Sequence, residues 1–200
     1  MAFTYFFRDL QTLDLITKHV IPLTTGRSRI RIWDAGCANG PEPYSLAIMF
    51  AENMGRFSFK NLQILASDID ESNLFGKIIG DGIFSRKETQ RIPKDIFDKY
   101  FSSVNGNGNY KIDHAIMSRV TYKKHDLLSL KPLGDNFSLI LCKNVLLHIS
   151  YENRIKVIEM FHESLMQGGF FAMEQTQDIP GEVSGLFEKV VSHGKLYRKV

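Results

Sequence analysis

Apolar residues fall along this chain in short blocks that stop at polar ones. Ile30, Ile32 and Trp33 stop at Asp34; Leu62 to Ala66 runs out to Asp68; Val120 to Lys124 meets His125 and Asp126; Phe137 to Cys142 closes at Lys143 and Asn144. Blocks of this length bounded by polar edges predict buried strands of a parallel sheet. Between them the spacing turns helical: Thr4 to Leu23 with Thr4 as its cap, Pro43 to Met54, Glu71 to Ile79 stopped by Gly80 and Gly82, and Tyr151 to Leu165 ended by Gly168 and Gly169. Phe3, Phe6 and Phe7 near the start predict that this end packs against something. Phe170 to Met173 returns to strand before Glu174, and FEKVVSHGKLYRKV reads as two strands split by His193 and Gly194, an antiparallel edge hairpin. The pattern predicts an α/β fold of one domain over residues 1–200. Residues 84–119 break the alternation, with a short helix at Pro93 to Phe101, a turn at NGNGN and a strand at Tyr110 to Ile112. This insert is either a substrate or partner platform or a surface excursion.

The block ending at Asp34 leads into D-x-G-x-A-x-G through Gly36, Ala38 and Gly40, then Pro41 and Pro43 at a helix entrance. Small side chains allow tight backbone and close ligand approach, and the free N–H groups of a helix start favour an electron-rich partner. The dinucleotide pattern G-x-G-x-x-G is absent, and the Asp34 carboxylate directly ahead of the turn would repel a pyrophosphate. A ligand with cationic and hydroxyl groups suits it better, and S-adenosylmethionine, with an amine, a sulfonium and a ribose, is such a ligand. Asp68, at the end of the second strand, is placed on the ribose hydroxyls, with Ile69 next to it in the cofactor set. Asp70 competes for the ribose but is read as the cap of the next helix. Asp126 is assigned to the adenine amino group with leucines against the ring, and Asn144 to a cofactor or backbone contact on the same rim.

Composition narrows the class further. A hydrophobic fraction of 44% and a charged fraction of 24% are those of a soluble globular protein. The formal charge of +3, with no basic-aromatic tract, argues against a nucleic-acid partner. No uncharged apolar run is long enough for a bilayer, and Arg8 and Asp9 interrupt the apolar start, so no membrane insertion and a cytoplasmic address are expected. Cys37 and Cys142 each follow a strand core and could be neighbours, a disulfide being the weaker expectation in a reducing compartment. No metal site is expected, and the chain is read as a monomer.

The stretches TYFFRD at Thr4–Asp9, IWDAGCANGPEPYSLAI at Ile32–Ile48, ILASDID at Ile64–Asp70 and CKNVLLHIS at Cys142–Ser150 stand in one order with HDLL, GGFF and a terminal LYRK. Together they make the whole chain resemble the chemotaxis receptor methyltransferase family, CheR, whose members transfer a methyl group from S-adenosylmethionine to glutamate side chains of chemoreceptors. The resemblance implies a Rossmann-like class I methyltransferase fold: a seven-stranded, mostly parallel sheet with an antiparallel edge hairpin and a small inserted β subdomain, which residues 84–119 match. In some family members that subdomain docks to a receptor tail. The resemblance also places Thr4, Arg8, Glu42, Asp68, Asp126, Leu127, Lys143 and Asn144 at or near the cofactor or active site. It implies S-adenosylmethionine as cofactor, S-adenosylhomocysteine as product, and a chemoreceptor-like protein as substrate. Glu42 is expected to receive the methionine amino group, and Arg8 to steer the acceptor carboxylate with its paired donors. His148 is expected to contact the acceptor or complete the pocket wall.

The chain departs from the family pattern at particular residues. GPEPYS stands for GEEPYS, Ala2 for an asparagine, HDLL for HNLL, Lys143 for an arginine and His148 for a tyrosine. Lysine keeps the charge but loses the bidentate fork, and histidine changes both shape and titration range. The family's helical N-terminal domain is not represented in these residues. Two other readings stay open: methyl transfer to a different protein or small-molecule acceptor, and a non-catalytic S-adenosylmethionine-binding interaction module.

Overall fold

The computed structural model describes residues 4–200, so the readings at Ala2 and Phe3 lie outside the described residues. The strands are β1 (Ile30–Ala35), β2 (Leu62–Asp68), β3 (Ile83–Ser85), β4 (Phe101–Val104), β5 (Asn109–Ile112), β6 (Val120–Lys124), β7 (Phe137–Cys142), β8 (Leu165–Met173), β9 (Phe187–Lys189) and β10 (Leu196–Lys199). The longer helices are α1 (Leu10–Thr24), α2 (Pro41–Asn53), α3 (Phe75–Asp81), α4 (Lys94–Tyr100) and α5 (Tyr151–Ser164). Seven strands form one sheet in the order β6-β2-β1-β7-β8-β10-β9. It is parallel from β6 through β8; β10 then runs antiparallel to both β8 and β9, closing the edge as a hairpin. This is the Rossmann-like class I methyltransferase architecture. The insert forms a separate three-stranded antiparallel sheet, β3-β5-β4.

Side-chain alternation along the central strands sorts the core into two layers. Ile30 and Ile32 of β1 and Leu139 and Leu141 of β7 point with Leu13, Ile16 and Phe50 into the layer under α1 and α2. Trp33 and Ala35, with Ile140 and Cys142, point the other way and pack with Val157, Ile158 and Phe161 of α5. Both cysteines are buried free thiols. Among the described residues no helix is long and apolar enough to cross a membrane.

Three of the boundaries that differ from those read from the spacing do so for a clear local reason; in addition α2 starts two residues early, at Pro41, and α3 runs through Gly80 to Asp81. The first helix begins at Leu10 rather than Thr4, because Phe7 and Asp9 both take left-handed backbone at φ 58° and fold the preceding segment back over the sheet. That segment is held by the Phe7 N–H donating to Ser45 Oγ at 2.8 Å and by the edge-on packing of Phe6 with Phe84 and Phe101. At the other end of the chain, the fourth long helical stretch closes at Ser164, and the glycines read as its stop lie inside β8. There the register slips, with Phe137 opposite Leu165 but Leu139 opposite Phe170. Gly169 is needed in this bulge, since a Cβ would sit 2.9 Å from the carbonyl oxygens of Met166 and Phe137.

The third difference is the start of α3 at Phe75 instead of Glu71, four residues into a turn organised by Asp70. The buried Asp70 carboxylate accepts hydrogen bonds from the Leu74 and Phe75 N–H groups and from the hydroxyls of Ser72 and Tyr122. Burial pushes its pKa up, but these four donors outweigh that and hold it below the ordinary carboxylate range. Asp70→Ala is expected to lower stability by about 2 kcal/mol in urea unfolding near neutral pH. Because the folded pKa is depressed, the wild-type advantage should be present above the unfolded pKa and fade as pH falls through the folded one. Equal stability of the two proteins at pH 7 would refute the capping role.

Candidate functional site

The parallel strands end level with one another. Ala35 pairs with Ser67, Asp68 with Lys124, and Cys142 with Met173, so the chain leaves β1, β2, β6, β7 and β8 along one carboxyl rim. Ligands of open α/β sheets bind outside such a rim. A cavity of about 790 Å³ opens there, within the range of small-molecule sites.

The turn after β1 forms its floor. Gly36 and Cys37 both donate their N–H groups to the Ser67 carbonyl, at 2.7 and 3.0 Å, and the Ala38 N–H donates to Asp68 Oδ2 at 2.9 Å. Gly36, Ala38 and Gly40 have φ of 96°, 50° and 110°, which explains their small side chains. A Cβ on Gly36 would run into Val145 Cγ2, far inside the 3.0 Å that real Cβ atoms keep. Asp68 therefore has a structural task as well as a place on the cavity wall. Its Oδ1 accepts from the Asp70 N–H at 3.1 Å, leaving lone pairs on both oxygens for hydroxyl donors.

Charge is concentrated beneath the α2 entrance. Glu42 lines the cavity while Asp34, fully buried, does not reach it. Lys143 Nζ lies 3.1 Å from Glu42 Oε2, and both side chains are almost wholly buried. The Asp34 carboxyl is pushed well above its ordinary pKa, first by burial and then by the Glu42 charge, against the opposing pull of Lys143. Asp34 lies beside the Glu42–Lys143 pair, behind the cavity wall rather than on it.

The same rim residues grip the N-terminal segment. Lys143 Nζ donates to the Arg8 carbonyl at 3.1 Å, and the Arg8 guanidinium donates to Asn144 Oδ1 at 3.2 Å. Thr4 and Arg8 consequently line the cavity from above, opposite Asn144 and Val145, although more than a hundred residues separate them in sequence. His148, exposed, stands at the mouth on a turn that follows β7.

Asp126, Leu127, Leu128 and Ile69 shape the far end of the cavity. Asp126 Oδ1 accepts the Leu128 N–H at 2.8 Å, which fixes the short turn presenting Leu127. Carboxylate oxygens at Glu42, Asp68 and Asp126, separated by apolar Leu127, Ile69 and Val145, complement a ligand that carries an amine, ribose hydroxyls and an adenine amino group. Both thiols are pushed well above their ordinary pKa, by burial first and by nearby acids second, so neither offers a thiolate here.

The structure brings all the sequence-derived site residues except Asp34 onto one cavity. Ala38, read as part of the small-residue turn, also lines it; spacing gave no hint that Ser67 and Ile149 do so, nor that Glu174 lies just behind Asn144. Most of these flank strand ends, and a reading of the whole rim would have found them.

Residues 2–195 match the family described as CheR methyltransferase, SAM binding domain. A probable chemotaxis protein methyltransferase of Rhizobium etli is 28% identical over 94% of this chain and 72% of its own length. Chemotaxis protein methyltransferase 2 of Vibrio cholerae is 30% identical over 98% and 67%, and the chemotaxis protein methyltransferase of Borreliella burgdorferi 30% identical over 89% and 65%. The chain thus spans roughly two thirds of the length of these relatives. Among solved structures, the rRNA methyltransferase AviRa of Streptomyces viridochromogenes shares the fold, with a TM-score of 0.57 at 12% identity over 98% of this chain and 85% of that one. The chain belongs to the CheR methyltransferase family, as an S-adenosylmethionine-dependent methyltransferase domain of the class I fold.

Proposed function

We propose that this protein transfers a methyl group from S-adenosylmethionine to a glutamate side chain of a protein substrate of the chemoreceptor kind. The observation that carries this reading is the placement of the Arg8 guanidinium, held by Asn144, on the same cavity as the acids of the cofactor set. Glu42 would receive the methionine amino group, Asp68 the ribose hydroxyls and Asp126 the adenine amino group, with Thr4, Gly36, Ile69, Leu127, Lys143 and Asn144 completing the walls. Bound S-adenosylmethionine supplies a methyl group already activated by its sulfonium. The acceptor carboxylate is ionised at neutral pH, so no general base is required. Its oxygen forms the new bond to the methyl carbon as the carbon–sulfur bond breaks, and no proton moves. Arg8 steers and orients that carboxylate, and the cavity walls exclude water from the approach.

The insert over residues 84–119 is our proposed platform for the protein substrate. Its ties to the N-terminal segment and to the turn after β1 support this: Phe6 packs on Phe84 and Phe101, the Arg91 guanidinium stacks 4.3 Å from the Tyr5 ring, and Asn39 of that turn donates to Glu88.

Incubation with methyl-labelled S-adenosylmethionine and a cell extract is expected to label protein in a form released as methanol by mild alkali. Alkali-stable label would instead favour a nitrogen or ether-forming acceptor, a reading for which the exposed position of His148 at the cavity mouth is the supporting observation. Arg8→Ala is expected to reduce transfer at least about a hundredfold while S-adenosylmethionine affinity by calorimetry changes severalfold or less. Unchanged turnover would remove Arg8 from the mechanism.

A further inference from the structure

Glu174 follows the last residue of β8, 4% exposed, and the roles proposed above leave it unused. Its Oε2 accepts the Asn144 N–H at 3.2 Å, while Oε1 is buried without a hydrogen-bond partner among the described residues. A half-satisfied buried acid is a poor choice for packing alone, because an apolar side chain there would avoid the desolvation of the orphaned oxygen. Its place becomes intelligible from what it holds. Asn144 has left-handed backbone at φ 59°, a conformation that asparagine tolerates without favouring, and this turns its side chain so that Oδ1 meets the Arg8 guanidinium.

We infer that Glu174 is a positioning residue: by accepting the Asn144 N–H it fixes the turn after β7 and, through Asn144 Oδ1, sets the orientation of the Arg8 guanidinium. The consequence for an acceptor carboxylate rests on the reading of Arg8 given above; the mechanical link from Glu174 to Arg8 does not. Lys143 does not make this link, since its bond goes to the Arg8 backbone carbonyl and not to the guanidinium.

Three substitutions separate the requirements. Glu174→Gln keeps an acceptor oxygen at the same reach, Glu174→Asp keeps the charge but withdraws it by one methylene, and Glu174→Ala removes both. Amide hydrogen exchange at Asn144 and the Arg8 side-chain Nε–H resonance are read by NMR in each protein that retains a cooperative thermal transition. N-acetylglutamate amide serves as the carboxylate probe, titrated in the presence of S-adenosylhomocysteine. In the Ala and Asp proteins Asn144 exchange is expected to rise about tenfold or more, with the Arg8 Nε–H signal displaced from its wild-type position. The carboxylate probe should bind about tenfold more weakly in both, with S-adenosylmethionine affinity within about twofold of wild type. Glu174→Gln should restore all three readouts. Asn144 exchange and Arg8 resonance unchanged in Glu174→Asp would overturn the inference, as would a Gln protein that behaves like the Ala protein. Arg8→Ala titrated with the same probe is the separate control: undiminished binding there refutes the acceptor role of Arg8 and leaves the exchange data to decide on Glu174.

Discussion

Gly36→Ala is expected to abolish S-adenosylmethionine binding and to lower stability by about 3 kcal/mol or more. Two separate penalties fall on one methyl group. The backbone at Gly36 has φ of 96°, which side-chain-bearing residues rarely adopt, and the added carbon would collide with Val145 Cγ2. Relief by moving the backbone is blocked, because the Gly36 and Cys37 N–H groups share the Ser67 carbonyl and the Ala38 N–H is tied to Asp68. Shifting the turn therefore drags the end of β2, and Asp68 with it, away from the position from which it would bind a ribose. Val145→Ala separates the two penalties. The double variant Gly36→Ala/Val145→Ala should recover the steric part, and the backbone part, about 1–2 kcal/mol, should persist. Urea unfolding and calorimetric titration with S-adenosylmethionine read both. Wild-type affinity in the single variant would mean that this turn does not shape the cofactor site.

Lys143→Met should cost about 3–5 kcal/mol, since it strands the buried Glu42 carboxylate beside Asp34 with no counter-charge. The loss has a second component in the freed Arg8 carbonyl, which Lys143 holds at 3.1 Å. Glu42→Gln in the Lys143→Met background should restore much of the stability, because neither member of the former pair then leaves an unpaired charge in the interior. It should not restore binding of the methyl donor, for Glu42 is the carboxylate proposed to receive the amino group. Stability and affinity thus part company in the double variant. If denaturant midpoints of Lys143→Met and wild type coincide, the buried pair is not what holds the α2 entrance to β7.

Much of the cavity lining was legible because strand ends are where apolar runs meet polar residues. Asp68, Asp126 and Asn144, singled out by that rule, all line the cavity. Asp34 stands at such a strand end too, but side-chain alternation sends it with Ile30 and Ile32 toward the α2 side, where it is buried and does not line the cavity. The start of α1 was unreadable for a different reason. The helical spacing of TYFFRDL is real, but the Phe6 contacts with the insert and the Phe7 bond to Ser45 override it through partners tens of residues away. The glycines at 168 and 169 misled because a helix stop and a strand bulge ask for the same residue. Glu174 carried the same strand-end signal after Met173, but nothing in the spacing pointed to Asn144 as its partner.

The anchoring of the turn after β1 has one more implication, for energetics of recognition. Successive N–H groups from Gly36 to Ala38 are committed to the end of β2, and Ala38 sits between them and Gly40 at φ 50°. The methyl donor would dock on a preorganised surface, with little loop entropy lost on association. Affinity at this end of the cleft should accordingly vary with the functional groups of the ligand and hardly at all with viscogens or with loop-stiffening substitutions.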